Sequence, residues 1–215
     1  MVVEATELRE HELHAEGFEW VIGVDEVGRG AIAGPVVVVA AARHLNSPPA
    51  PAGLRDSKLL SALQRDRIAP LAASWIEHWA LGEASPAEID EHGIVACLRL
   101  AAERALLELW QAGVQPGAAV VLLDGTHNWL TGLNPQPVVR VQAKADRDCS
   151  IVAAASVIAK VERDRQMVLA HARAPQYGWD GNKGYGSSAH LAAIAEHGID
   201  ESHRRSWIHQ PQTNI

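Results

Sequence analysis

Three near-continuous apolar runs restrict this chain more than any other feature: "WVIGVD" at residues 20–25, "GPVVVVAAAR" at 34–43 and "AAVVLLD" at 118–124. Each has the length of a strand, and the absence of polar alternation means that both faces of each strand are covered. Helical layers above and below one central sheet meet that demand, so the chain reads as an α/β fold. The Gly-rich break between the first two runs makes them neighbours, the second returning beside the first. A third strand is predicted at 76–82, and "PVVRVQAKAD" reads as a further covered strand ending at Asp146. Helices are predicted over residues 4–16, 61–73 and 93–111, the last stopped by Gly113. Between them "SPAEID" carries a capping box, with Ser85 as N-cap, Pro86 at the first helical position and Glu88 reaching back. "CSIVAAASVIAKVERDRQMVL" predicts a helix buried at its start and exposed at its end. Ser187 caps a last helix that stops at Gly198, after a Gly-rich loop at 175–188. "LNSPPAPAG" at 45–53 is a Pro-rich loop within the fold, and there is no internal repeat. The boundaries that follow are an N-terminal helical extension at 1–17 and one domain at 18–215 with a small C-terminal helical segment.

On this reading three strands finish on an acid: Asp25 with its neighbour Glu26, Asp124, and Asp146. Ligand sites of α/β sheets gather where strand ends open a crevice. Four carboxylates in one crevice repel strongly unless protons or cations intervene. Oxygen ligands without nearby His or Cys favour Mg²⁺ or Mn²⁺, and such a pair of ions suits phosphoryl chemistry. The plainer alternative, acids that merely start loops, stays open at this point.

Taken together, "VIGVDEVGRGAIAGPVVVVAA", "LRDSKLLS", "VLLDGTHNWL", "KADRDCSIVAAASVIAKVERDR", "QYGWDGNKGYGSSAH" and "ESHRRSW" resemble the successive motifs of ribonuclease HII, in the family's order from about residue 20 to 207. The resemblance implies a ribonuclease H-like fold with a mixed central sheet flanked by helices. It implies hydrolysis of the RNA strand in RNA–DNA hybrids and cutting 5′ of single ribonucleotides in duplex DNA, leaving 3′-hydroxyl and 5′-phosphate ends. The family's catalytic and metal-binding acids fall on Asp25, Glu26, Asp124 and Asp146. Asp148 is a rival for the last; the family's spacing to Ser156 selects Asp146. Ala145 stands where the family commonly has Gly. The family's 2′-hydroxyl reader falls on Gly28, Arg29 and Gly30, where the two glycines are expected to give the substrate clearance. Its sugar-stacking tyrosine falls on Tyr185. Lys58 and Lys183 are candidate phosphate contacts, while Arg204 and Arg205 fit either the duplex backbone or an acid partner. A metal-dependent DNA nuclease of the same fold and a non-catalytic nucleic-acid-binding module are the competing readings. The Gly-Arg-Gly segment argues against the first and the full set of acids against the second.

Composition sets the remaining limits. The formal net charge is −7, with the acid excess confined to residues 1–140 and bases nearly matching acids beyond, so a polyanion surface is permitted toward the C-terminus. No apolar run approaches the ~20 residues of a membrane span, and no signal segment is evident. Cys97 and Cys149 are too few for a disulfide scaffold, so a reducing cytoplasm is expected. His11 and His14 are spaced three apart, not the four of a zinc-protease helix. Cys149 has no evident His partner and reads as structural. Trp20, Trp75, Trp79 and Trp110 read as core residues, and the tail "HQPQTNI" holds no aromatic pair for docking on a sliding clamp. A monomer is expected.

Overall fold

In a computed structural model of the chain, residues 4–44 and 48–208 are described; the clamp-motif reading of the tail and part of the Pro-rich loop fall outside them. The strands are β1 (Trp20–Val27), β2 (Val36–His44), β3 (His78–Ala84), β4 (Ala119–Asp124) and β5 (Val138–Gln142). They form one mixed sheet in the order β3-β2-β1-β4-β5. β1, β2 and β3 pair antiparallel, whereas β4 runs parallel to β1 and β5 parallel to β4. In chain order the helices are α1 (Leu8–Ala15), α2 (Ala62–Trp75), α3 (Pro86–His92), α4 (Ile94–Gln111), α5 (Ala145–Asp148), α6 (Ser150–Arg173), α7 (Trp179–Asn182) and α8 (Ser188–His197).

Successive strand residues face opposite layers, and the two layers divide accordingly. Val21, Val39, Ala41, Val120 and Leu122 pack with α2 and the Ala-rich start of α6. Ile22, Val24, Val38, Val121 and Leu123 pack with Leu98, Ala102 and Leu109 of α4 on the other face. α6 crosses β1 so closely that a Cβ on Gly23 would lie 2.6 Å from the Ile151 carbonyl group, which requires glycine there. A third cluster, with Met167, Ala170, Tyr177, Trp179 and Ile194, joins the C-terminal helical segment to the far end of α6.

The capping box forms as expected, Ser85 accepting from Glu88 N while Glu88 Oε2 accepts from Ser85 N at 2.8 Å. Ser187 caps α8 by accepting from His190 N. Three expectations need correction. β5 stops at Gln142, because Lys144 takes a left-handed backbone (φ 63°) that turns the chain into α5; Asp146 is therefore a helical residue, not a strand end. β5 is also an edge strand with Val138 and Val141 exposed, so it is not covered on both faces. Trp75 is buried and Trp20 and Trp110 pack at the core's margin, but Trp79 is exposed. No described helix is long and apolar enough to cross a membrane.

Candidate active site

Parallel pairing of β1 and β4 places Val24 beside Leu123, so the next residue on each strand is an aspartate, Asp25 and Asp124, on the α6 side of the sheet. Glu26, on the alternate face, reaches the same opening around the strand's end. Asp124 is oriented by Ala145 N, which donates to its Oδ1 at 2.7 Å. Ala145 has a helical backbone, so replacing glycine costs nothing there. Asp146 is 6% exposed and accepts at Oδ2 from Lys58 Nζ at 2.8 Å. Lys58 itself projects from a one-turn 3-10 helix, Ser57–Leu59, whose N-cap Asp56 accepts from Lys58 N. Below it Ser57 Oγ and Ser156 Oγ share a hydrogen bond of 2.9 Å.

A cleft of about 280 Å³ is lined by Asp25, Glu26, Gly28, Arg29, Gly30, Ser57, Lys58, Arg65, Asp124, Ser156, Lys160 and Tyr185, whereas Asp146 does not line it and is tied to it through Lys58. Its acids are short of positive charge. Burial, then the charge of Glu26, pushes Asp25 up to about 8. Burial also raises Glu26, against the opposing pull of Arg29, whose Nη1 lies 3.4 Å from Glu26 Oε1. Asp124 is raised by burial and by Asp146. Burial pulls Lys58 down, but its bond to Asp146 and the charges of Asp146, Asp25 and Asp56 outweigh this and hold it above the usual lysine range.

The acids are arrayed around the cleft, not around a point: among the described residues no three His, Cys, Asp or Glu side chains converge to enclose one ion as they stand. An all-oxygen donor set whose repulsion is met internally by one lysine nevertheless suits a hard divalent cation, and the ammonium of Lys58 sits among the acids where a cation is wanted.

A second wall of the cleft is made by Gly28–Gly30, the start of the loop that runs to Gly34, with the loop carrying Tyr185. Two arginines, both 0% exposed, lie behind it. Arg204 donates to Gly28 O (2.7 Å), Arg29 O (2.9 Å) and Gly34 O (3.1 Å), and Arg163 donates to Ala33 O (3.1 Å), Pro35 O (3.0 Å) and Lys183 O (2.8 Å). Burial, and then Arg163, brings Arg204 down to about 10, so it stays charged at neutral pH. The Tyr185 ring is 40% exposed at the cleft with the Arg163 guanidinium 5.6 Å from its centroid. Its carbonyl accepts from His190 Nδ1 at 2.9 Å. That fixes the His190 tautomer and leaves Nε2 to accept from Trp179 Nε1 and His203 Nε2, a neutral network that burial favours.

Several sequence-predicted residues sit elsewhere. Lys183 does not line the cleft; its ammonium donates to Asp180 O. Asp148 forms a paired contact with Arg147 at 2.6 and 2.8 Å, leaving Asp146 as the acid turned to Lys58. Among the described residues Arg204 touches no acid, and it is fully buried; Arg205 N donates to Asp90. Gly28 does not open space for a ligand: a Cβ there would lie 2.0 Å from Arg163 Nε, inside the fold, whereas Gly30 has open space around it. Cys149 is buried, accepts from Gln142 Nε2, and is pushed up to about 12 by burial and by Glu10, so its thiol is inert. Ser57, Arg65 and Lys160 were not anticipated at the cleft, although Ser57 and Lys160 lie within quoted motifs.

The sheet order and flanking helices define a protein of the ribonuclease H-like class, and solved structures agree. The ribonuclease H2 of Pyrococcus horikoshii superposes with TM-score 0.67 at 25% identity, covering 87% of this chain and 93% of its own. The ribonuclease HII of Archaeoglobus fulgidus, solved in complex with PCNA, gives 0.68 at 26% identity over 90% and 98%. A sequence model described as Ribonuclease HII matches residues 22–210. The ribonuclease HII of Streptomyces avermitilis is 48% identical over 90% of this chain and 78% of its own, and that of Polynucleobacter necessarius 40% over 87% and 92%. The chain belongs to the ribonuclease HII family, and is thus a ribonuclease H, a hydrolase.

Proposed function

We propose that this chain cuts the RNA strand of RNA–DNA hybrids and cuts 5′ of single ribonucleotides embedded in duplex DNA, leaving 3′-hydroxyl and 5′-phosphate ends. The observation that carries this reading is that one cleft joins Asp25, Glu26 and Asp124 to the backbone of Gly28–Arg29–Gly30 and the ring of Tyr185. Asp25, Glu26, Asp124 and Asp146 would hold two divalent ions, Mg²⁺ or Mn²⁺. When bound, such ions supply an activated water and charge stabilisation at the leaving oxygen. Burial holds the Asp25 carboxyl above the usual carboxylate range, and a bound cation would favour its charged form. Lys58, released from Asp146, is placed to meet a phosphate; Arg65 adds positive charge to the cleft, as does Lys160, whose ammonium is paired with Asp164.

Phosphates are common to RNA and DNA, so the acids cannot choose between them. Selection falls to peptide groups of Gly28–Gly30, which meet the 2′-hydroxyl, and to Tyr185, which packs on the neighbouring sugar. The test is incubation with a duplex holding one ribonucleotide, a long hybrid and an all-DNA duplex, each with divalent ion and with chelator. Cutting of the first two, dependent on the ion and rising with pH, supports the reading. Equal cutting of the all-DNA duplex, or binding without cutting, overturns it in favour of a DNA nuclease or a non-catalytic module.

A further inference from the structure

We propose that Arg204 is the positioning residue that turns the peptide N–H groups of Arg29 and Gly30 toward the cleft, and so sets the preference for ribose over deoxyribose. The inference rests on the substrate reading above. Among the described residues neither Arg204 nor Arg163 forms an ion pair, an unusual state for a buried guanidinium. The charge of Arg204 is met instead by carbonyl dipoles at Gly28, Arg29 and Gly34.

A trans peptide is planar, with its C=O and N–H pointing in opposite directions. Holding Gly28 O inward therefore turns Arg29 N–H outward, and holding Arg29 O inward does the same for Gly30 N–H. Among the described residues no group accepts from either N–H. Both residues line the cleft, and Gly30 adds no side chain there. The buried charge also polarises both peptide groups, which strengthens their outer ends as donors. Two outward donors need an oxygen; a ribose offers its 2′-oxygen and a deoxyribose offers none. Gly28 serves the same device from within, since its missing Cβ and its φ of +81° let the loop lie on Arg163.

Lysine keeps the charge but cannot hold two adjacent carbonyls in one plane, so Arg204→Lys separates orientation from charge. The substrate is the single-ribonucleotide duplex, and the all-DNA duplex serves as competitive inhibitor, which gives KM and Ki from one protein sample. Arg204→Lys should raise KM about ten-fold, the scale of lost hydrogen bonds, while Ki for DNA and calorimetric Mn²⁺ affinity stay near wild type. A merely structural role lowers the active fraction, which reduces the maximal rate and leaves KM and Ki in their original ratio; that result overturns the proposal. Should the variant not fold, amide resonances of the wild-type protein decide in chelator, where nothing is cut. Arg29 and Gly30 shifting with the ribonucleotide duplex and not with DNA supports the proposal, and equal shifts overturn it. Failure of the wild-type protein to cut the ribonucleotide duplex would instead remove the substrate reading, before Arg204 is in question.

Discussion

The two walls of the cleft are electrostatic opposites, and they are neutralised in different ways. On one wall Asp25, Glu26 and Asp124, together with Asp146 bonded to Lys58, share that single close ammonium plus the more distant Arg29, and burial pushes Asp25 up to about 8. On the other, Arg163 and Arg204 have no acid among the described residues, yet each donates to three different carbonyls. The acids keep unmatched negative charge, whereas the arginines are met by carbonyls within the protein. Loss of an acid should therefore cost activity and leave the fold, while loss of a guanidinium with its charge, as distinct from the charge-keeping Arg204→Lys, should cost the fold.

The sharpest way to break that contrast is Arg163→Met. Ala33, Pro35 and Lys183 would lose their donor inside the protein, and an unmet buried polar group costs roughly 1–3 kcal/mol. A stability loss of about 3 kcal/mol or more in urea unfolding is expected. An unchanged midpoint would mean that the arginine wall is not what holds these loops. Asp124→Asn is the counterpart. Cleavage should fall on the order of 10²-fold or more, while apo stability is unchanged or higher, because a charge leaves a repulsive group. Loss of thermal stability in chelator would make Asp124 a structural residue and erase the distinction.

Tyr185 lines the cleft beside both walls and is proposed for recognition, not as a metal ligand. Tyr185→Ala should lower kcat/KM on a single-ribonucleotide duplex by the scale of one stacking contact, about 1–3 kcal/mol, with Mn²⁺ affinity intact. Reduced metal affinity would show that this loop props up the acids.

The acid wall was far more legible in the sequence than the arginine wall, for physical reasons. β1 and β4 announce themselves by unbroken apolar runs, and in parallel register their ends bring Asp25 and Asp124 together. Asp146 was found as a residue but misplaced as structure, because the left-handed turn at Lys144 is carried by a residue with no propensity for it. Arg163 and Arg204 look like ordinary surface bases in "VERDR" and "SHRRSW", since burial of a guanidinium on carbonyls leaves no local pattern. Gly28 was legible as necessary but not for the right reason: its neighbour is Arg163, more than a hundred residues on, and only the fold brings them together.

The smallest expected effect separates two buried acids that look alike. Glu10, on α1, is 5% exposed; its Oε1 accepts from Ile151 N at 2.8 Å and its Oε2 has no partner among the described residues. Burial raises it from 4.5 to about 7, the same direction as Asp25, but the cavity beside it holds only about 10 Å³ and shares its lining with Arg43, too small to admit a hydrated cation. At a pH below its unfolded value of 4.5 Glu10 is protonated in both states and costs nothing. Between 4.5 and about 7 the folded protein keeps a proton that the unfolded chain has released, so stability falls as pH rises, and above about 7 the cost of the buried charge is complete. Glu10→Gln should thus stabilise the protein by about 1–3 kcal/mol at pH 8 and have little effect at pH 4. Saturating Mn²⁺ should leave that difference in place while reducing the similar pH dependence contributed by Asp25. A Glu10→Gln gain that vanished with Mn²⁺ would mean that the two acids are coupled through the sheet and that the metal-responsive region extends beyond the cleft.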